Sequence, residues 1–289
     1  MSQQGQLKTV PEVVLGATGL RTSAVGLGCS RLGSVLAGST TEMAVQLVQH
    51  ALRQGITLYD TADIYGQGES ERILGRVLGK SRNNVTLVTK GGQLFTPAQR
   101  IAAMAKRPVR FLTKQIPAFR DLVAANRAHR LPRDFTAAYL QRALEKSLRR
   151  LRTDYIDLYL LHSPDGTEIQ QSDCFVMLER AKEKGLVRHW GISCDDLPGV
   201  EAAVRVKGVM ALEVPLAVLY PLADSSTVVT ELSVRKIGLI VGQILTSRNE
   251  VVPWARTPRE RVDLVLSHAN AAAIVGTTST KHLNEALIS

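Results

Sequence analysis

Cysteine is scarce. Cys29, Cys174 and Cys194 are the only three in 289 residues, an odd set without CxxC spacing. Neither a disulfide framework nor a zinc site is expected, and a reducing compartment fits. No apolar run reaches membrane-spanning length, and the opening MSQQGQLKTV has no apolar core of a signal peptide. The expectation is a cytoplasmic protein without a membrane partner. Aromatics are only 4% of the chain, and neither a zinc-finger pattern nor an aromatic-rich RNA-binding signature occurs. Gly26, Gly28 and Gly33 do not make G-x-G-x-x-G, and there is no P-loop, so the dinucleotide fingerprint of an open α/β sheet is missing.

Acidic residues are also short, 26 against 36 basic ones, for a formal net charge of +10. The surplus is local. Residues 91–134 hold nine basic side chains against Asp121 and Asp134. Such a charge suits an anionic small molecule as well as nucleic acid or an anionic surface. Without a motif, no nucleic-acid partner is expected.

Hydrophobic residues at 45% are enough for a sizeable core, and their pattern alternates in type. AVGLGC (24–29), TLYD (57–60), NVTLVTK (84–90), YIDLYLLH (155–162), HWGIS (189–193), VMALEV (209–214), IGLIVG (237–242) and AAAIVG (271–276) read as strands. Helical periods lie between them. In the first, Ser39 and Glu42 have capping-box spacing, Met43, Leu47 and Ala51 share a face, and Gly55 is the stop. In TAAYLQRALEKSLRRLR (136–152), Leu140, Leu144, Leu148 and Leu151 form a stripe. Thr257, Pro258 and Glu260 mark the start of another helix.

Eight strand–helix units predict a (β/α)8 barrel, with an open doubly wound sheet as the alternative. VVLGATGLRTS (13–23) reads as a short hairpin closing the barrel floor. The chain is expected to be one domain over 1–289, with a long basic insertion at about 91–134 after the third strand. Loops of that length are functional or solvated, and nothing in the sequence chooses between them.

Barrel active sites lie at the C-terminal strand ends. Asp60 ends the second strand, Tyr65 follows in YDTADIYGQGESE, Lys90 ends the third strand and His162 the fourth. Each has an ordinary reading as a turn, solvated or rim residue, because turns favour Asp and Gly on steric grounds alone. Their convergence on one rim points to chemistry. A nearby ammonium lowers the pKa of a tyrosine, an aspartate holds the ammonium, and a histidine orients a substrate oxygen. Such a group can protonate a carbonyl oxygen while a cofactor delivers hydride. Gly276 opens a run of four hydroxyl residues and Lys281 at a helix start. That run suits an anion, with ordinary capping by Ser279 or Thr280 as the plainer reading.

LGATGLRTSAVGLG, DTADIYG, VTKGG, SLRRLRTDYIDLYLLH, LHSPD, GLVRHWGIS and IVGTTSTKHLNEAL together resemble the aldo-keto reductase family. The resemblance implies a barrel that reduces aldehydes or ketones reversibly with NADP(H), less often NAD(H), and a small-molecule carbonyl or alcohol as substrate. It carries the catalytic set onto Asp60, Tyr65, Lys90 and His162. It also implies cofactor contacts at Asp60, Ser193, Glu213, Gly276, Thr278, His282 and Glu285, with NADPH preferred. Glu213 stands where the family commonly has glutamine, Cys194 where it has asparagine, and Thr278 where many members have arginine. Asp63 has no family role and reads as a turn or rim residue. The C-terminal segment that often shapes the substrate pocket is expected to be absent or very short. An alternative within the same fold is a nucleotide-binding regulatory subunit with little turnover.

Overall fold

A computed structural model of the chain describes residues 10–33, 40–95, 131–222, 225–245 and 254–287. A hairpin of β1 (Glu12–Val14) and β2 (Arg21–Ser23) precedes eight barrel strands. These are β3 (Val25–Gly28), β4 (Leu58–Asp60), β5 (Thr86–Gly91), β6 (Ile156–His162), β7 (Val187–Ser193), β8 (Ala211–Pro215), β9 (Gly238–Gly242) and β10 (Ala271–Gly276). Each pairs in parallel with the next, and β10 pairs with β3, so the sheet closes. Closure rules out the open sheet. Leu15 and Leu20 of the hairpin pack into the barrel interior with Leu58, Val88, Leu158 and Ile240, so the hairpin plugs the floor. Among the described residues, no helix is long and apolar enough to cross a membrane.

The first helices were legible in outline and shifted in detail. Helix α1 (Thr41–Arg53) is capped by Thr40, whose Oγ1 accepts from the Met43 amide at 3.2 Å. The expected box began one residue earlier, at Ser39, which lies outside the described residues. Threonine serves equally at this position. The buried face is Ala44, Leu47, Val48 and Ala51, while Met43 is exposed. Helix α2 (Glu69–Val77) follows the β4 loop, and α3 (Ala137–Leu151) buries Leu140, Leu144 and Leu151, with Leu148 half-buried. Thr257, Pro258 and Glu260 form the expected start of the helix Pro258–Leu266, with both hydrogen bonds of the box in place.

Most of the basic insertion, residues 96–130, lies outside the described residues. At its end, Arg133 is a clamp. It pairs with Asp165 at 3.0 Å and Glu168 at 3.1 Å, and donates to the Ser163 carbonyl at 2.9 Å. It fixes the loop that leaves β6.

Strand period places the site. Alternate residues on a strand share a face. Leu58, Val88, Leu160, Ala211 and Ile274 belong to the interior cluster. Two residues further along the same strands stand Asp60, Lys90, His162, Glu213 and Gly276. The top layer of the barrel is therefore polar by the same alternation that makes the layer beneath it apolar.

Candidate active site

Lys90 is the centre of that layer and is 0% exposed. Its Nζ makes an ion pair with Asp60, lies 3.1 Å from Glu213 Oε2 and donates to the Thr61 carbonyl at 3.1 Å. A buried ammonium is tolerated only when paired. Burial alone lowers its pKa, but Asp60 and then Glu213 more than offset this and hold it well above the usual lysine value. Lys90 thus stays charged between two carboxylates.

Tyr65 begins a short 3-10 turn, Tyr65–Gln67. Gly66 (φ 56°), Gln67 (φ 62°) and Gly68 (φ 81°) all take the left-handed conformation, which glycine adopts without steric cost. At Gly68 a side chain would also meet Arg150, whose Cδ would stand 2.6 Å from an added Cβ. The glycines of YGQG thus bend the chain and set the ring over the barrel mouth. Lys90 Nζ lies 5.4 Å from the Tyr65 ring centroid, and the rings of Tyr65 and His162 meet edge to face at 5.7 Å.

Sequence reasoning expected the lysine to leave Tyr65 with a lowered pKa. The lowering is present but does not win. Burial pushes the phenol up, Lys90 pulls it down, and Asp60 and Glu213 push it up again, for a net rise. Tyr65 is therefore held protonated, in the form of a donor. His162 is pushed well below its usual value by burial and then by Lys90, so its ring is neutral, and its buried Nδ1 has no hydrogen-bond partner. Glu213 is pushed above the usual carboxylate range by burial and by Asp60, against the pull of Lys90.

A pocket of about 340 Å³ opens over these groups. Asp60, Tyr65, His162, Ser193, Glu213 and Gly276 all line it. Ser193 and Glu213 are register partners on β7 and β8. Gly276 and Gly28 are partners across β10 and β3, and a Cβ on Gly28 would stand 3.1 Å from the Gly276 Cα. That glycine pair keeps one wall flat. The open wall and the neighbouring polar groups of Ser193 and Glu213 fit a nicotinamide ring with its carboxamide.

The end of the chain fits less closely. Thr278 is half-buried, and His282 and Glu285 are exposed. None of the three lines the pocket. Lys281 is 81% exposed and 3.9 Å from Glu285, so its ammonium faces outward. Thr277 Oγ1 accepts from the Ser279 amide at 3.0 Å, and the Ser279 carbonyl accepts from the Leu283 amide at 3.2 Å. Local capping thus uses part of the hydroxyl run.

Several lining residues escaped sequence reading. Arg31, Gln93, Asp195 and Gln243 all line the pocket. Each follows a barrel strand within three residues, which was the available signal, but single polar loop residues carry no spacing pattern. Asp63 stands in a turn, as expected, with more of it covered than a turn alone requires. Its Oδ1 is buried without a partner, and burial and then Glu71 push its pKa up to about 8.

Comparison with known proteins bears on the family and the fold. The model of the Aldo/keto reductase family matches residues 24–245. The chain is 32% identical over 180 residues to the uncharacterized oxidoreductase YqkF of Bacillus subtilis, covering 62% of this chain and 47% of that one. It is 34% identical over 185 residues to the aldo-keto reductase YhdN of the same organism, covering 61% and 44%. The chain thus spans about half the length of the curated relatives it matches. A solved structure from Pseudomonas aeruginosa, described as an aldo-keto reductase, superposes with a TM-score of 0.72 at 27% identity, covering 98% of this chain and 96% of that one.

Proposed function

We propose that this chain, which belongs to the aldo/keto reductase family, reduces an aldehyde or ketone to an alcohol, reversibly, with NAD(P)H. The observation that carries the reading is that Asp60, Tyr65 and His162 line one pocket at the barrel mouth, with Lys90 buried against Asp60 and the Tyr65 ring. Bound reduced nicotinamide supplies the hydride, which no side chain can. Ser193, Glu213 and Gly276 would hold the nicotinamide end, with Thr278, His282 and Glu285 towards the adenosine end. Tyr65 gives its proton to the carbonyl oxygen. Lys90, fixed by Asp60, steadies the phenolate left behind. Neutral His162 donates a hydrogen bond to the same oxygen and orients it. A steady-state assay with NADPH and a panel of aldehydes tests the reading, and absence of turnover on all of them would sink it.

Glu213 gives a sharper test. Its charge opposes that of Lys90 at Tyr65. Glu213→Gln keeps the shape and an amide able to bond a carboxamide, but removes the charge. Tyr65 should then deprotonate more easily, so the alkaline limb of alcohol oxidation, where phenolate is the base, moves to lower pH. A shift of about one unit corresponds to about 1.4 kcal/mol of interaction. An unmoved profile removes Glu213 from the electrostatics of the acid.

NADPH is proposed as the preferred cofactor, by a modest factor. A charge-assisted phosphate contact contributes about 1.5–3 kcal/mol, but an exposed ammonium contributes about 0–1 kcal/mol. Lys281 faces solvent, so the preference should be about fivefold or less, and Lys281→Ala should remove most of it. Dissociation constants for both cofactors decide this, and equal affinity in wild type would end the proposal.

A further inference from the structure

A second cavity, of about 460 Å³, lies on the outer surface between α2 and α3. Its lining is Arg72, Arg76, Lys146, Arg149, Arg150 and Arg152, all cationic. Two of them meet a carboxylate: Arg150 Nε is 2.5 Å from Glu71, and Arg72 Nη1 is 3.6 Å from Glu69. Among the described residues, no carboxylate lies within ion-pair distance of Arg76, Lys146, Arg149 or Arg152. The cavity keeps a surplus of positive charge.

This arrangement works against helix stability. Arg72 and Arg76 are a like-charged i,i+4 pair, and Lys146 has Arg149 and Arg150 at i+3 and i+4, spacings at which like charges repel. The helix dipole accounts for part of it. Arg76, Arg149 and Arg150 sit in last turns, where cations are favoured. It does not account for Arg72 or Lys146, nor for two helices turning their cations into one cavity. Arg152 adds an independent observation. It caps α3 at φ 54° and ψ 47°, left-handed backbone in which glycine is at ease and a side chain is strained. An arginine is held here at a position that favours glycine.

We infer that this cavity is a binding site for a compact polyanion, a small molecule carrying two or more phosphate groups. Arginine forks match phosphate oxygens in pairs, and five of the six lining residues are arginines. The volume lies within the range of small-ligand sites, about 300–1,000 Å³. Among the described residues no aromatic lines it, so they offer no platform for stacking a base, which single-stranded nucleic-acid grooves use. The site is separate from the barrel mouth and does not depend on the reaction proposed there. It is nonetheless linked to it. Glu71, which pairs with Arg150, accepts from Thr89 Oγ1 at 2.7 Å, and Thr89 precedes Lys90 on β5.

The test is calorimetric titration of the full chain with tripolyphosphate at low salt. One site per chain is expected, with orthophosphate binding much more weakly. The double variant Arg76→Gln, Lys146→Gln changes two exposed side chains and should keep the thermal midpoint while losing at least about tenfold in affinity. Arg152→Gly separates binding from folding. It should bind more weakly yet be at least as stable, because glycine relieves the left-handed residue. Unchanged affinity in both variants, or many equivalent weak sites, would overturn the inference. A short DNA duplex that binds tighter than tripolyphosphate, and loses that binding in the same variants, would overturn the small-ligand assignment in favour of a nucleic-acid surface.

Discussion

Tyr65→Phe should lower carbonyl reduction by about 10²–10⁴-fold, the range for losing a positioned general acid, and leave cofactor affinity nearly unchanged. The change removes one hydroxyl and nothing that holds the turn. The left-handed run from Gly66 to Gly68 sets the backbone, and the edge contact with His162 at 5.7 Å involves the ring alone. Lys90 keeps Asp60 and Glu213 as partners without the phenol. Neither of the two groups packed against its ring takes over. His162 is held neutral by burial and by Lys90, and Lys90 is held charged between its carboxylates. Single-turnover reduction with NADPH, alongside a fluorescence titration of cofactor binding, separates the two quantities. A variant retaining more than about a tenth of wild-type turnover would show that tyrosine is not the acid.

What the sequence shows of this site follows from strand period. Asp60, Lys90 and His162 were legible because each stands at a strand end, two residues beyond an interior apolar residue. Their shared rim needed only the count of eight units and the rule for barrel mouths. The contact between Lys90 and Glu213 was not legible. β5 and β8 are not neighbours in the closed sheet, so the pair meets across the barrel lumen. Periodicity fixes which face a residue takes, but not which residue it meets on the far wall. For the same reason the net rise at Tyr65 could not be read. The lysine was visible as a helper, but the burial that outweighs it is a property of the assembled pocket. On the outer surface, the leucine stripe of α3 was legible, but only the packing of α2 against α3 turns two basic faces into one cavity.

Lys90→Met should lose activity on the same scale, about 10²–10⁴-fold, and should also destabilise the fold in a pH-dependent way. Methionine fills a similar volume without charge. Asp60 and Glu213 then face one another inside the barrel without their cation. Removing one member of a buried ion pair costs about 3–5 kcal/mol, unless a proton replaces the lost charge. Glu213 can take that proton, since burial and Asp60 already hold its pKa above the usual carboxylate range with the lysine present. Without Lys90 its folded pKa rises further. A carboxyl whose folded pKa exceeds its unfolded value, about 4.3, contributes stability that is fully present below that unfolded value and is lost as pH rises through the folded one. The gap in thermal midpoint between wild type and variant should therefore be small near pH 4.5 and widen steadily towards pH 8. Reduction should recover partly towards lower pH, because a protonated Glu213 no longer sets a negative charge against the phenolate left on Tyr65. Thermal unfolding and steady-state rates across that range read both effects. A midpoint gap that stays constant with pH would mean that no buried carboxylate was left waiting for a proton, and a wild-type-like rate profile would remove Lys90 from the mechanism.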